Sequence, residues 1–165
     1  MANLGNEATV SATDVWLTPP SLLAKLGHFD LDPCSPLDRP WDTADHHFTI
    51  EDDGLAQSWN KYPRVWMNPP YGRGMDKWML KLKNHAKMGG SGIALIFART
   101  ETKTFFDHVW DDADAILFIK GRIKFCTPDG KEAGTAGSPS VLIAYGQQEV
   151  AALKRSGIAG KLVIF

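Results

Sequence analysis

The chain has 165 residues, 44% of them hydrophobic and including six Trp and eight Phe, which suffices for one packed core and leaves little room for a second domain. A formal net charge of −1 excludes a strong non-specific nucleic-acid binder, so any such contact must come from a local patch. The sequence has no apolar run of about twenty residues and no signal-peptide pattern, and its two cysteines, Cys34 and Cys126, lie far apart; it therefore reads as a soluble, cytoplasmic protein with no membrane partner and no structural zinc.

Residues 1–13 are small, polar and aperiodic and read as a flexible terminus, with one domain over 14–165. Thr18-Pro19-Pro20-Ser21 opens a short helix, with Thr18 as N-cap, Pro19 at its first position, and Leu22, Leu23 and Leu26 buried before Gly27. Phe29-Asp30-Leu31 is a strand ending at Asp32-Pro33-Cys34-Ser35. The stretch 36–53, rich in Pro, Asp and His, reads as ordered loop. A second strand over 62–67 leads into Asn68-Pro69-Pro70-Tyr71. Helical spacing of Met75, Trp78, Met79, Leu82 and Ala86 predicts a helix over 75–87, stopped by Gly89-Gly90. The run 93–98 is a strand covered on both faces. A helix follows over 102–110, then a strand over 115–119. Residues 122–125 and 140–145 read as two strands joined by the Gly-rich loop 127–137. A small helix (148–155) and a terminal strand (162–165) close the chain. The fold class is α/β: a single-domain, mainly parallel open sheet with antiparallel C-terminal strands.

Asn68-Pro69-Pro70-Tyr71 carries the most chemistry. Consecutive prolines fix φ and remove two donors, leaving a rigid turn rich in acceptors. The Asn68 carboxamide oxygen and a proline carbonyl can accept both hydrogens of an exocyclic amine, and Tyr71 can stack on the ring that bears it. Two acceptors draw the amine's lone pair back from the ring onto nitrogen. In open α/β sheets such sites lie beyond the carboxyl ends of strands, where Asp32-Pro33-Cys34-Ser35 also falls.

The order Trp16-x-Thr18-Pro19, Asp32-Pro33-Cys34, Asp53-Gly54-Leu55, Asn68-Pro69-Pro70-Tyr71, then Phe97-Ala98-Arg99-Thr100 and Gly121-Arg122-Ile123-Lys124-Phe125, resembles the phage-type (Dam-like) DNA adenine-N6 methyltransferases over roughly residues 15–145. The resemblance implies a Rossmann-like fold, S-adenosylmethionine as cofactor, double-stranded DNA with a flipped adenine as partner, and a phage or prophage origin in a bacterial cytoplasm. It implies that Asp32 meets the cofactor's ammonium, with Pro33 and Cys34 shaping the pocket wall. Thr18 would hold the cofactor carboxylate, and Trp16 would pack on its adenine or methionine portion. Asp53 would take the adenine amine or the ribose hydroxyls. Asn68, which also borders the cofactor, and the Pro69-Pro70 turn would hold the target amine, with Tyr71 stacked on the base. Asp-Pro-Cys-Ser-Pro stands where many methyltransferases carry a Gly-x-Gly turn.

DNA contacts are expected from Arg73, two residues beyond Tyr71, from Arg122 and Lys124, which alternation with Lys120 would place on one strand face, and from Arg99 at a strand end. Lys77, Lys81, Lys83 and Lys87 form a further basic helix face. Several other readings compete. Pro33-Cys34 suggests a thiolate nucleophile for cytosine methylation, but no downstream Glu-Asn-Val element follows. His46-His47 with Asp42 and Asp45 suggests a metal site, but no complete ligand set follows, so no metal is expected. An Asn-Pro-Pro-Tyr turn also serves methyltransferases acting on RNA or on protein glutamine, and a non-catalytic nucleic-acid-binding module would keep the fold alone. Only the stretches 36–53 and 127–137 remain free to read bases, so specificity is expected to be short, relaxed or supplied with a second subunit. The sequence leaves monomer and homodimer open.

Overall fold

The computed structural model describes residues 15–165, so the expectation of a flexible segment over 1–13 falls outside the described residues. In chain order they form α1 (Pro20–Leu26), β1 (Leu31–Asp32), β2 (His46–His47), β3 (Arg64–Met67), α2 (Met75–Lys87), β4 (Ser91–Phe97), α3 (Lys103–Phe105) continued by a π-helical turn (Phe106–Trp110), β5 (Ala115–Ile119), β6 (Lys124–Cys126), β7 (Glu132–Thr135), β8 (Ser140–Tyr145), α4 (Gln147–Arg155) and β9 (Gly160–Ile164). Seven strands make one mixed sheet in the order β2-β1-β3-β4-β8-β5-β9, and β6 and β7 form a separate hairpin. β2, β1, β3 and β4 run parallel; β8 runs antiparallel to both β4 and β5, and β9 antiparallel to β5.

Strand periodicity explains the two layers. In β4, Ile93 and Leu95 face a core with Leu23, Leu26, Phe29 and Trp66, while Ala94 and Ile96 face one with Met79, Leu82, Phe105 and Val109. These central side chains are at most 1% exposed, apart from Leu23 at 8%, and each fully buried Leu or Ile contributes about 1.5–3 kcal/mol. α2 buries Met79 and Leu82 of the predicted stripe, half-buries its Met75, Trp78 and Ala86, buries His85 in addition, and is followed by Gly89 at φ 98. Arg64 and Glu149, 85 residues apart, meet in a bidentate buried pair at 2.7 and 2.8 Å. Arg64 also donates to the carbonyls of Leu26 and His28, and the Ser91 hydroxyl donates to Glu149. This network pins α1, β3, β4 and α4 together.

Several expectations are corrected. The first helix starts at Pro20 with Pro19 in the N-cap position, so Thr18 does not cap it; Thr18 is buried in the cleft described below. The first strand is displaced to Leu31–Asp32, and the loop 36–53 contains β2, held parallel to β1 through Leu31↔His46. The segments 122–125 and 140–145 do not pair. β6 instead pairs with β7, which lies inside the expected Gly-rich loop, because β8 is drawn into the main sheet, where all six of its residues are buried. Gly121, at φ 81, turns the chain between β5 and β6, so Lys120, Arg122 and Lys124 do not share a strand. The terminal strand begins at Gly160, two residues before the expected 162.

Candidate active site

Parallel register brings three strand ends to one edge of the sheet. Leu31 lies beside Val65, and Met67 beside Ala94, so the chain leaving β1, β3 and β4 emerges on the same side. There a cleft of about 760 Å³ opens, lined by Trp16, Thr18, Asp32, Pro33, Cys34, Asp53, Asn68, Pro69, Pro70 and Tyr71, which brings together every residue expected at the cofactor and amine sites. Its remaining walls include Leu37, Arg39, Thr43, Ile50, Gly54, Trp66 and Trp78, none of which sequence reasoning had placed there as site residues.

Asp32 sits at the base of this cleft, 4% exposed. The Thr43 hydroxyl donates to its Oδ2 at 2.5 Å, and the Cys34 amide donates to its Oδ1 at 3.2 Å. Thr43 is itself held by its own amide, which donates to His47 Nε2 at 3.2 Å. Burial pushes the Asp32 carboxyl up to about 6, against the Thr43 and Cys34 hydrogen bonds and the nearby Arg39 guanidinium, which favour the charged form. At neutral pH the group is therefore an ionised carboxylate kept short of water, a strong site for a cation. His46-His47, read from sequence as a loop pair, thus serves the sheet and, through Thr43, orients Asp32.

Asn68 holds the centre. Its Nδ2 donates to the Trp16 carbonyl at 3.2 Å and to the Thr18 hydroxyl at 3.4 Å, which fixes the carboxamide's orientation. Its Oδ1 is buried and, among the described residues, accepts no hydrogen bond. Natural structures rarely tolerate such an acceptor, which costs about 1–3 kcal/mol, unless a ligand donates to it. Beneath it, the Cys34 thiol donates to the Asn68 carbonyl at 3.4 Å. Burial and then the Asp32 carboxylate push this thiol well above its ordinary range. A thiol so held is not the thiolate that cytosine methylation requires.

Tyr71 stacks on Phe97, the last residue of β4, with ring centroids 4.3 Å apart and planes within 10°. Burial raises the Tyr71 phenol far above its ordinary value, so it stays neutral. The turn holding Asp53 is clamped to the Asp32-Pro33 corner through Gly54: a Cβ there would lie 1.9 Å from the Pro33 carbonyl oxygen. Asp53 adopts φ 52, the left-handed region that Asp tolerates better than most residues. The only sequence signal for this contact was the glycine itself.

The four basic residues expected to meet DNA are all exposed and lie outside the cleft wall. Arg73 follows the Asn68–Tyr71 turn, between Gly72 and Gly74. Arg99 follows β4. Arg122 donates to the Ala136 carbonyl at 3.3 Å, and Lys124 pairs across the hairpin with Glu132 at 3.0 Å. On the basic helix face three lysines have partners within the molecule, while Lys77 and Lys87 are exposed: Lys81 donates to the carbonyls of Leu55 and Gln57, and Lys83 and Lys87 both pair with Asp112. Two clusters, His28-Asp30-Asp45 and Asp76-Asp107-His108, have ligand atoms close enough for a cation, and neither contains His46 or His47. Among the described residues, no helix is long and apolar enough to cross a membrane.

No curated protein matches the chain. A family model does, over residues 5–154, and its span covers every element from α1 through the cleft to most of α4. The chain belongs to the DNA N-6-adenine-methyltransferase (Dam) family.

Proposed function

We propose that the protein transfers a methyl group from S-adenosylmethionine to the N6 amine of an adenine flipped out of double-stranded DNA. The observation that carries this reading is the buried, unpartnered Oδ1 of Asn68, an acceptor held rigid in a cleft and waiting for a donor. The amine of adenine is such a donor. Asn68 Oδ1 and the Pro69 carbonyl take its two hydrogens, and the lone pair returns from the ring to nitrogen. Tyr71 stacks on the base and fixes its plane. A base within a duplex cannot reach the cleft, so it is extruded, at a cost of roughly a few kcal/mol.

The residues present fit the cofactor. The cleft volume of about 760 Å³ suits a nucleoside-bearing ligand, the ionised Asp32 suits its ammonium, and Thr18 offers a buried hydroxyl to its carboxylate. Trp16 and Asp53 line the same space, Asp53 for the adenine amine or the ribose. When bound, the cofactor supplies an electrophilic methyl, which passes to nitrogen as the carbon–sulfur bond breaks and one amine proton is released. The protein's part is positioning and polarisation, with no covalent intermediate. Arg73, Arg99 and Arg122 are the phosphate contacts of this reading, with Lys124 only after release from Glu132. The sheet, with five strands running one way and β8 reversed between β4 and β5, supports a Rossmann-like assignment. The order of motifs supports a phage or prophage source and action in the host cytoplasm.

The test is incubation with methyl-labelled S-adenosylmethionine and unmethylated DNA, followed by nucleoside analysis. Label is expected in N6-methyladenine. Asn68→Ala should lower methylation by about a hundredfold or more, as removal of a positioned polar contact does elsewhere, and Tyr71→Ala by about tenfold to a hundredfold, the worth of one base–aromatic stack, while both variants melt cooperatively. Near-full activity in either variant refutes the mechanism.

A further inference from the structure

Phe97 is half-buried at the carboxyl end of β4 and leans on the core formed by Ile93, Leu95 and Trp66. Its backbone is held on both sides: it is paired with Ser140 of β8, and its carbonyl accepts from the Arg99 amide at 2.8 Å. Tyr71 is held far less firmly. It is followed by Gly72 at φ 107, where a Cβ would meet nothing within 4 Å, and by exposed Arg73 and Gly74. The prolines before it fix the backbone up to Pro70 but leave the Tyr71 side-chain torsions free. Its near-parallel contact with Phe97 at 4.3 Å is therefore what sets the plane of the Tyr71 ring.

We infer that Phe97 is a positioning residue for the target base, acting as a backing ring that holds Tyr71 in the plane against which the base stacks. The inference rests on the methyltransferase reading above. At a centroid distance of 4.3 Å no third ring fits between Phe97 and Tyr71, so the base lies on the cleft side of Tyr71. The three rings then form one stack anchored to the sheet. Phe97 does not line the cleft and touches neither reacting atom; its effect passes through Tyr71. A small misplacement of a positioned reactant lowers the rate steeply, so loss of the backing ring should be felt in turnover on DNA and not in cofactor binding.

The experiment compares wild type with Phe97→Leu, which keeps the apolar bulk without the ring, and with Phe97→Tyr, which restores the ring. Each full-length protein is assayed for methyl transfer to unmethylated genomic DNA at saturating S-adenosylmethionine, giving kcat and the half-saturating DNA concentration, and for S-adenosylmethionine affinity by calorimetry. Phe97→Leu should lose about tenfold in kcat/KM for DNA while its cofactor Kd stays within about twofold, and Phe97→Tyr should recover most of the loss. Wild-type kcat/KM in Phe97→Leu overturns the inference. So does a parallel loss of cofactor affinity, or a Phe97→Tyr protein as impaired as Phe97→Leu, since either marks a packing role alone. Absence of adenine methylation by wild type itself would sink the functional reading, a separate outcome.

Discussion

Asp32→Asn should make the protein more stable at pH 8 while weakening its hold on the cofactor. The Asp32 carboxyl is raised from its ordinary 3.8 to about 6, chiefly by burial, so the fold favours its protonated form. Below pH 3.8 the group is protonated in both folded and unfolded chains and costs nothing. As pH rises through 6 that advantage is lost, and above it the fold carries a charge that the unfolded chain solvates better. At 1.36 kcal/mol per pH unit the full cost is about 3 kcal/mol, and at pH 5 about half of that. Asn never ionises. It can also keep both local hydrogen bonds, its Oδ1 accepting from the Cys34 amide and its Nδ2 donating to the Thr43 hydroxyl, which serves as donor or acceptor. Without cofactor, the variant should therefore melt higher than wild type at pH 8 by up to about 10 °C, at about 2–4 °C per kcal/mol for a chain of this size. The difference should shrink by about half at pH 5. Calorimetric titration at pH 8 should show S-adenosylmethionine binding weakened at least about tenfold, as expected when a buried charge loses its partner. A variant less stable than wild type at pH 8, or a stability difference that does not change with pH, would refute this account of Asp32.

Two other substitutions probe the frame around the site. Gly54→Ala places a methyl group against the Pro33 backbone, which cannot yield as a side chain would; a loss of about 3 kcal/mol or more in urea unfolding is expected, together with weaker cofactor binding, and an unchanged midpoint would show that the turn relaxes freely. Glu149→Gln leaves Arg64 buried with half its partner, so a loss of about 3–5 kcal/mol is expected in the same assay. Because Arg64 opens β3 and Asn68 follows its far end, methylation per folded molecule should stay near wild type, and a selective loss of activity would count against a purely structural role.

The site was more legible than the sheet. Asp32 and Asn68 each end a short strand-like run, and strand ends in a parallel sheet converge, so local pattern placed both at one edge, while their roles there came from the resemblance. Thr43 escaped because its value lies in a hydrogen bond across eleven residues, reached through a two-residue strand too short to leave a period. Phe97 escaped because its stack with Tyr71 joins two strand ends that only the register brings together. Strand pairing failed at 122–145 for a related reason: proximity in sequence favours a hairpin, while Ser140–Tyr145, with its apolar run Val141–Ala144, is fully buried between β4 and β5 and gains more there. The expected Thr18 cap gave way to a buried hydroxyl that receives the Asn68 amide. The internal pairing of Lys81, Lys83 and Lys87 was invisible because their acceptors lie on other elements.

The position of β8 bears on how the chain comes off the ribosome. β8 fills the gap between β4 and β5, yet it is synthesised after both. A nascent chain that has reached residue 139 therefore holds one partial sheet, β2-β1-β3-β4, whose apolar β4 edge is unpaired, and a β5 whose two partners, β8 and β9, are not yet made; such edges recruit strands from other molecules. The centre of the sheet can close only when residues 140–145 arrive, and Glu149, the partner of Arg64, follows directly behind in α4. The sheet edge that presents Asn68 is thus completed late in synthesis. Chaperone demand and aggregation during expression should concentrate in the interval before β8 is made.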